Sequence, residues 1–395
     1  MQRHTTFVAA GALLMAAGGM VQAADKMYGP GVSDTEIKLG TSVPYSGPAS
    51  FFGSYGKVMT AYFEMLNDKG GINGRKINLI SLDNAYTPPK ALEQTRKMVE
   101  EEEILAEVGT VGTAPNVATM KYLNKKQVPQ LMISAGGSRF HDPKNFPWTI
   151  SSYPGFEMEA GNFANHILAG RPDAKIGVLY QNDDYGKDYL KGLKAGLGAK
   201  ASNVIAQESY EITDATVDAQ VLALRAAGVD TVMLFVTPKF AAQAIKKLGE
   251  TGWKPTLYIC SPSNSVKGTL AKAGAQYAVG AYTTQFIKQP GDPAYADDAD
   301  VKAYLAFMET YAPNLNPEGF VGLSGYVASQ VIAHVLEQAG DNLTRENVMK
   351  AATSIDGFKP EMVLPGISLN SSPDNYTLYK SLRMAKFDGT SWILE

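Results

Sequence analysis

The sequence has 395 residues, 45% of them hydrophobic, 19% charged and 10% aromatic, the balance of an ordinary globular protein and not of a disordered, collagen-like or coiled-coil chain. Lys and Arg number 36 against 39 Asp and Glu, a net charge of −3, which supplies no basic field for nucleic acid and no polybasic footprint for a membrane. The length predicts more than one domain, and the single cysteine, Cys260, excludes intrachain disulfides and cysteine-based metal sites.

The chain begins as an address. Arg3 and His4 precede an apolar stretch from Phe7 to Met20, and Val21-Gln22-Ala23 carries small or aliphatic residues where a signal peptidase reads. Residues 1–23 are expected to be a cleaved signal peptide, cut near Ala23. The apolar stretch is shorter than the roughly 20 residues a bilayer span needs, and no cysteine is available for lipid attachment. The expected location is the periplasm, with no membrane insertion of the mature chain.

From there, short apolar runs alternate with longer amphipathic stretches, the rhythm of a parallel sheet covered by helices. Strands are expected at Glu36–Val43, Lys76–Leu82, Leu105–Val108 and Pro129–Ser134, with helices at Tyr55–Lys69, Pro88–Glu103 and Asn116–Lys126 between them. After Trp148 the alternation restarts, with strands at Lys175–Tyr180, Val204–Tyr210, Thr231–Val236 and Thr256–Cys260. The helices of this second series are expected at Glu157–Leu168, Tyr185–Leu197, Val217–Ala227 and Lys239–Glu250. Helices at Ala299–Tyr311, Phe320–Ala339 and Arg345–Ala352 then follow without strands, and Asp388-Gly389 turns a terminal hairpin. Two α/β units of this kind bind ligands where the carboxyl ends of their strands meet.

Catalytic and cofactor signatures are missing from the sequence. There is no G-x-S-x-G elbow, no G-x-G-x-x-G after a strand and no G-x-x-x-x-G-K-[ST]. The histidines His4, His141, His166 and His334 stand at no metal-ligand spacing. The acidic runs at Asn182–Asp184 and Asp297–Asp300 lack the alternating ligands of a calcium loop and read as helix N-terminal charge. No catalytic residue, metal or cofactor is therefore expected. What stands out is three strand ends of one chemistry: Ser42–Pro48, Gly109–Ala114 and Ser134–Ser138, all rich in glycine and hydroxyls that let backbone N–H groups approach an anion.

These residues, read in order, resemble the periplasmic solute-binding proteins of ABC importers, in the class of the leucine-isoleucine-valine receptors. The resemblance runs through Ile37-Lys38-Leu39-Gly40, Pro44-Tyr45-Ser46-Gly47-Pro48, the specific stretch Asn67-Asp68-Lys69-Gly70-Gly71-Ile72-Asn73-Gly74-Arg75, Asp83, Arg96–Val99, Val128-Pro129-Gln130 and Asp184-Tyr185-Gly186-Lys187. It implies a type I fold: α/β, two doubly wound parallel-sheet lobes joined by three crossings, with lobe 1 at 34–151 plus 287–361 and lobe 2 at 152–286 plus 362–395. A small-molecule carboxylate is then trapped as the lobes close, and a monomeric receptor presents it to the membrane permease subunits of the importer. The resemblance places the ligand's carboxylate on Gly112, Thr113, Gly136 and Ser138 and an aromatic at Tyr153 and Tyr185, while Tyr45 and Ser46 in the first strand-end loop and Thr237 in the second lobe's loop before Lys239 complete the expected contacts. The position that bears an acid for an α-ammonium in amino-acid receptors aligns with Lys239, which favours an aromatic or other hydrophobic organic acid over a branched-chain amino acid. Two other readings stay open at this point: an amide hydrolase on the same scaffold, and a ligand sensor docking on a chemoreceptor or kinase ectodomain.

Overall fold

The structure is a computed structural model and describes residues 1–2 and 26–395. The expected signal peptide lies, beyond its first two residues, outside the described residues. Among the described residues no helix is long and apolar enough to cross a membrane.

The first lobe is built on a parallel five-stranded sheet of β1 (Glu36–Val43), β2 (Lys76–Asp83), β3 (Ala106–Val108), β4 (Gln130–Ile133) and β5 (Thr149–Ser151), in the order β2-β1-β3-β4-β5. Its interior strands are buried on both faces, which is why they read as apolar runs and not as alternating patterns. The crossovers are α1 (Gly53–Asp68), α2 (Pro88–Glu100) and α3 (Thr113–Lys126). Pro88 suits the first turn of α2, where its missing N–H is not needed.

The second lobe carries a seven-stranded sheet. Its strands are β6 (Ile176–Gln181), β7 (Val204–Tyr210), β8 (Thr231–Phe235), β9 (Thr256–Ile259), β10 (Tyr282–Gln285), β11 (Arg383–Phe387) and β12 (Trp392–Leu394), ordered β12-β11-β10-β9-β8-β6-β7. All pairings are parallel except β10 with β11 and β11 with β12. Helices α4 (Phe156–Gly170), α5 (Asp184–Leu197), α6 (Asp218–Ala226) and α7 (Pro238–Glu250) cover it. Asp183 caps α5 by accepting the Tyr185 and Gly186 N–H groups at 3.0 and 3.4 Å.

The late helices α8 (Ala299–Tyr311), α9 (Phe320–Ala339) and α10 (Arg345–Ala352) return to the first lobe. There α9 lies so close on α1 that a Cβ at Gly325 would sit 2.6 Å from the Tyr55 carbonyl oxygen. The second crossing, Phe286–Lys288, pairs antiparallel with residues 362–364, the Leu364 N–H donating to Phe286 O at 3.0 Å. Beyond this point the structure differs from the expected lobe division. Leu369 donates back to Phe358 O at 2.7 Å and the Tyr376 hydroxyl donates to Pro147 O at 3.1 Å. Residues 362–379, expected in lobe 2, therefore lie along the first lobe, and the chain joins the second sheet only at Arg383.

Two short polar strands, Thr149–Ser151 and Tyr282–Gln285, were not expected as strands. They carry hydroxyls and an amide where an apolar run announces a strand, because they stand beside the crossings. Ser151 there donates its Oγ to Ala135 O at 2.8 Å.

Candidate functional site

The site begins with the loop that follows β3. Val111 and Ser134 continue the β3–β4 pairing past the strands, with the Ser134 N–H donating to Thr110 O at 3.1 Å and the Gly112 N–H to Ser134 O at 3.3 Å. The Asn116 amide pins the loop from below by donating to Thr110 O at 2.9 Å and Gly112 O at 2.7 Å. Gly112 has φ +101, and a Cβ there would lie 2.4 Å from Cε2 of Tyr86. Only glycine accommodates both the backbone and the ring. Helix α3 starts at the next residue, so its first N–H groups have no intrahelical acceptor and its positive dipole end points at the cleft.

Around this loop the two lobes face one another across a narrow cavity. The first lobe contributes Phe52, Tyr55, Tyr86, Val111, Gly112, Thr113, Ser134, Ala135, Phe320, Val321 and Ser324. Tyr153 stands at the first crossing, and the second lobe adds Phe156, Tyr185, Thr237 and Pro262. Seven of the sixteen lining residues are aromatic and none is charged. The rings brace one another: Phe52 stacks on Tyr86 at 6.3 Å, and Phe156 meets Tyr185 edge-on at 5.0 Å.

The hydroxyls differ in what they hold. Tyr153 OH shares a 2.9 Å hydrogen bond with Ser261 Oγ, Tyr185 OH donates to Val236 O at 3.0 Å, and Tyr210 OH accepts the Thr237 N–H at 2.9 Å. The Tyr55 hydroxyl is fully buried and has no hydrogen-bond partner among the described residues. Burial pushes the phenols of Tyr55, Tyr86, Tyr153 and Tyr185 above the usual tyrosine range, so all four stay neutral donors. Behind the second-lobe wall Glu159 accepts from the Ser261 N–H (2.6 Å), Ser261 Oγ (2.8 Å), Tyr189 OH (2.6 Å) and Thr284 Oγ1 (2.8 Å). Its oxygens are fully occupied by protein donors, and it does not line the cavity.

Of the ten residues expected from sequence, the cavity brings together Gly112, Thr113, Tyr153, Tyr185 and Thr237. The other five stand elsewhere, each for a visible reason. Tyr45 OH is hydrogen-bonded to Ser81 Oγ at 2.6 Å and Ser46 Oγ donates to Asp83 at 2.6 Å, so both build the β1–α1 loop against β2. Gly136 is needed for packing, because a Cβ there would fall 1.9 Å from Pro154 O. Ser138 faces the opposite lobe, its N–H donating to Asp188 Oδ2 at 2.7 Å, and beside it Arg139 lies 3.4 Å from Asp184. Lys239 points away from the inner cavity, donating to Asp214 O at 3.0 Å and lying over the Phe240 ring at 4.6 Å.

Sequence reasoning missed Tyr55, Tyr86, Phe156 and Phe320 as lining residues, while Ser134 belongs to a strand-end loop that it singled out. Tyr86 carried a signal, since it follows β2 at a strand end before Pro88. Tyr55, Phe156 and Phe320 sit in the first turns of helices, where a face turned to a cavity has the same composition as one turned to the core.

Chemically, the cavity suits a flat apolar body with an anionic end. The open N–H groups and neutral hydroxyls of the first lobe can receive a carboxylate without a buried cation. A buried ammonium finds no carboxylate in the lining, a costly arrangement.

Residues 36–390 match the model of the family described as periplasmic binding protein. A Leu/Ile/Val-binding protein homolog from Brucella suis is 23% identical over 328 residues, covering 79% of each chain. Among solved structures, a branched-chain amino acid ABC transporter protein from Thermus thermophilus with bound valine superposes with a TM-score of 0.82 at 16% identity, over 92% of this chain and 96% of that one. A solute-binding protein from R. palustris in complex with benzoate superposes with a TM-score of 0.75 at 18% identity, over 91% and 95%.

Proposed function

The chain belongs to the periplasmic binding protein family, and on that premise we propose that it captures a small aromatic carboxylic acid between its two lobes and delivers it to the membrane subunits of an ABC importer. The observation that carries the choice of ligand is the cavity itself: seven aromatic residues, no charged one, and the start of α3 at its first-lobe wall. Valine and benzoate are the ligands of two structurally similar proteins. The absence of an acid from the lining favours the second chemistry, because a zwitterion's ammonium would be left unpaired.

Capture needs only that the ligand bind the closed arrangement better than the open one. The rim contacts Ser138–Asp188 and Arg139–Asp184 join the lobes and belong to the closed arrangement. In this reading the moving bodies are 34–151 plus 287–379 and 152–286 plus 380–395, the third crossing falling after Tyr379 and not at 361, since Tyr376 is held by Pro147. A hydrolase reading gains nothing from Cys260: its thiol is buried, 3.2 Å from Tyr185 OH, and burial pushes it up to about 12.

Titration calorimetry with benzoate, 4-hydroxybenzoate, leucine and valine tests the reading. The aromatic acids are expected to bind and the amino acids to give no heat. Tight leucine binding with inert benzoates overturns it.

A further inference from the structure

Outside the aromatic cavity lies a second chamber that the reading above leaves unused. It opens to solvent with an empty volume of about 1000 Å³. Phe320, Val321 and Pro262 line both spaces. Phe51 faces the outer chamber while Phe52, its ring 4.1 Å away, faces the inner one. The two chambers thus adjoin at side chains contributed by opposite lobes.

The outer chamber differs in chemistry from the inner one. Lys239 and Lys272 line it and no acidic residue does. Lys272 pairs with no carboxylate among the described residues, and Lys239 is held only by a carbonyl and a ring. Thr269 also lines it, completely buried, with an Oγ1 that has no hydrogen-bond partner among the described residues. Thr269 lies in a π-helical turn, Val266–Leu270, a local irregularity of the kind often found at functional sites. Lys239, Lys272 and Thr269 together give the outer chamber a polar set that the aromatic inner one lacks.

We propose that the two chambers form one elongated site, and that the ligand is an aromatic acid whose ring and carboxylate occupy the inner chamber while a side chain ending in a second anion reaches Lys239, Lys272 and Thr269 in the outer one. The proposal rests on the aromatic-acid reading of the inner cavity. It adds length and a second charge, so the preferred ligand is dianionic and longer than benzoate.

Three probes separate the two levels: benzoate, 4-butylbenzoate and 4-(3-carboxypropyl)benzoate, titrated into the purified protein at low and moderate salt. The diacid is expected to bind about tenfold more tightly than the butyl analogue at low salt, from two exposed ion pairs, with the gain shrinking as salt is added. In the Lys239→Met/Lys272→Met double variant the ratio of the two affinities is expected to fall to about one, and in Thr269→Val to fall in part. Thermal melting of each variant reports that the fold is intact. Butyl and carboxypropyl analogues that bind equally, or a gain that survives the double substitution, overturn the proposal while benzoate binding leaves the inner-site reading standing. Failure of all three probes to bind overturns the inner-site reading and this inference with it.

Discussion

The two lobes present unlike walls to the same cavity. On the first lobe polar capacity remains: α3 starts at the cavity wall, and the Tyr55 phenol has no hydrogen-bond partner among the described residues. On the second they are already engaged: Tyr185 donates to Val236 O, Thr237 is held by Tyr210, and Glu159 is saturated by four donors. The difference assigns the lobes different tasks. The first holds hydrogen-bonding capacity that only a ligand can use, whereas the second is a finished surface that covers what the first has bound.

The largest break in this contrast comes from Glu159→Ala. It strands Tyr189, Ser261 and Thr284 as buried donors and opens a cavity, and should destabilise the protein by about 3–5 kcal/mol in urea unfolding. A loss under 1 kcal/mol would show that the second-lobe wall does not depend on this hub.

Titrating groups sharpen the same contrast. Glu107, on β3, is buried with Thr110 Oγ1 donating at 2.7 Å and its second oxygen partnerless, and burial raises it to about 7 from the usual 4.5. His141 is lowered by burial to about 4 from 6.5. The folded state thus favours protonated Glu107, a contribution of about 3 kcal/mol that is whole below pH 4.5 and lost as pH rises to about 7. Neutral His141 contributes a similar ~3 kcal/mol that is whole above pH 6.5 and lost as pH falls to about 4. The slopes of these two groups oppose between 4.5 and 6.5, so each masks the other in the unmodified protein. Glu107→Gln should expose stability that rises with pH, and His141→Phe the reverse, both read from midpoints of denaturant unfolding. Parallel profiles for all three proteins would refute the assignment.

Gly112→Ala tests the first-lobe loop. Positive φ and the 2.4 Å approach to Tyr86 together predict a loss of about 10- to 100-fold in benzoate affinity. The smallest effect sets the walls directly against each other. Tyr55→Phe should weaken benzoate binding by about five- to tenfold, one hydrogen bond, while Tyr185→Phe should change it less than twofold, since that hydroxyl is engaged by Val236. Equal losses in calorimetry would erase the distinction between the walls.

Much of the scaffold was legible because its signals are local. Strands Glu36–Val43 and Val204–Tyr210 and helices Ala299–Tyr311, Phe320–Ala339 and Arg345–Ala352 occur at the bounds that periodicity predicts. The strand-end loop around Gly112 and Thr113 was legible for the same reason, since glycine and hydroxyls after an apolar run announce a turn whose backbone faces outward. Where the remaining expected residues lie depends on which side chain meets which across the fold. Ser138 has the right chemistry for an anion and is instead held by Asp188, and Lys239 leans on Asp214 and Phe240, outside the inner cavity.

The sequence by itself determined the alternation of strands and helices, the absence of disulfides and catalytic signatures, and the glycine- and hydroxyl-rich turn before α3. Periodicity, composition and backbone freedom act within a few residues of one another. Only the tertiary structure decided that Tyr55, Phe156 and Phe320, each indistinguishable in sequence from a core aromatic, converge from three helices on one cavity. Apolar burial is non-directional, and whether a buried face meets another side chain or an enclosed space depends on how the two lobes close.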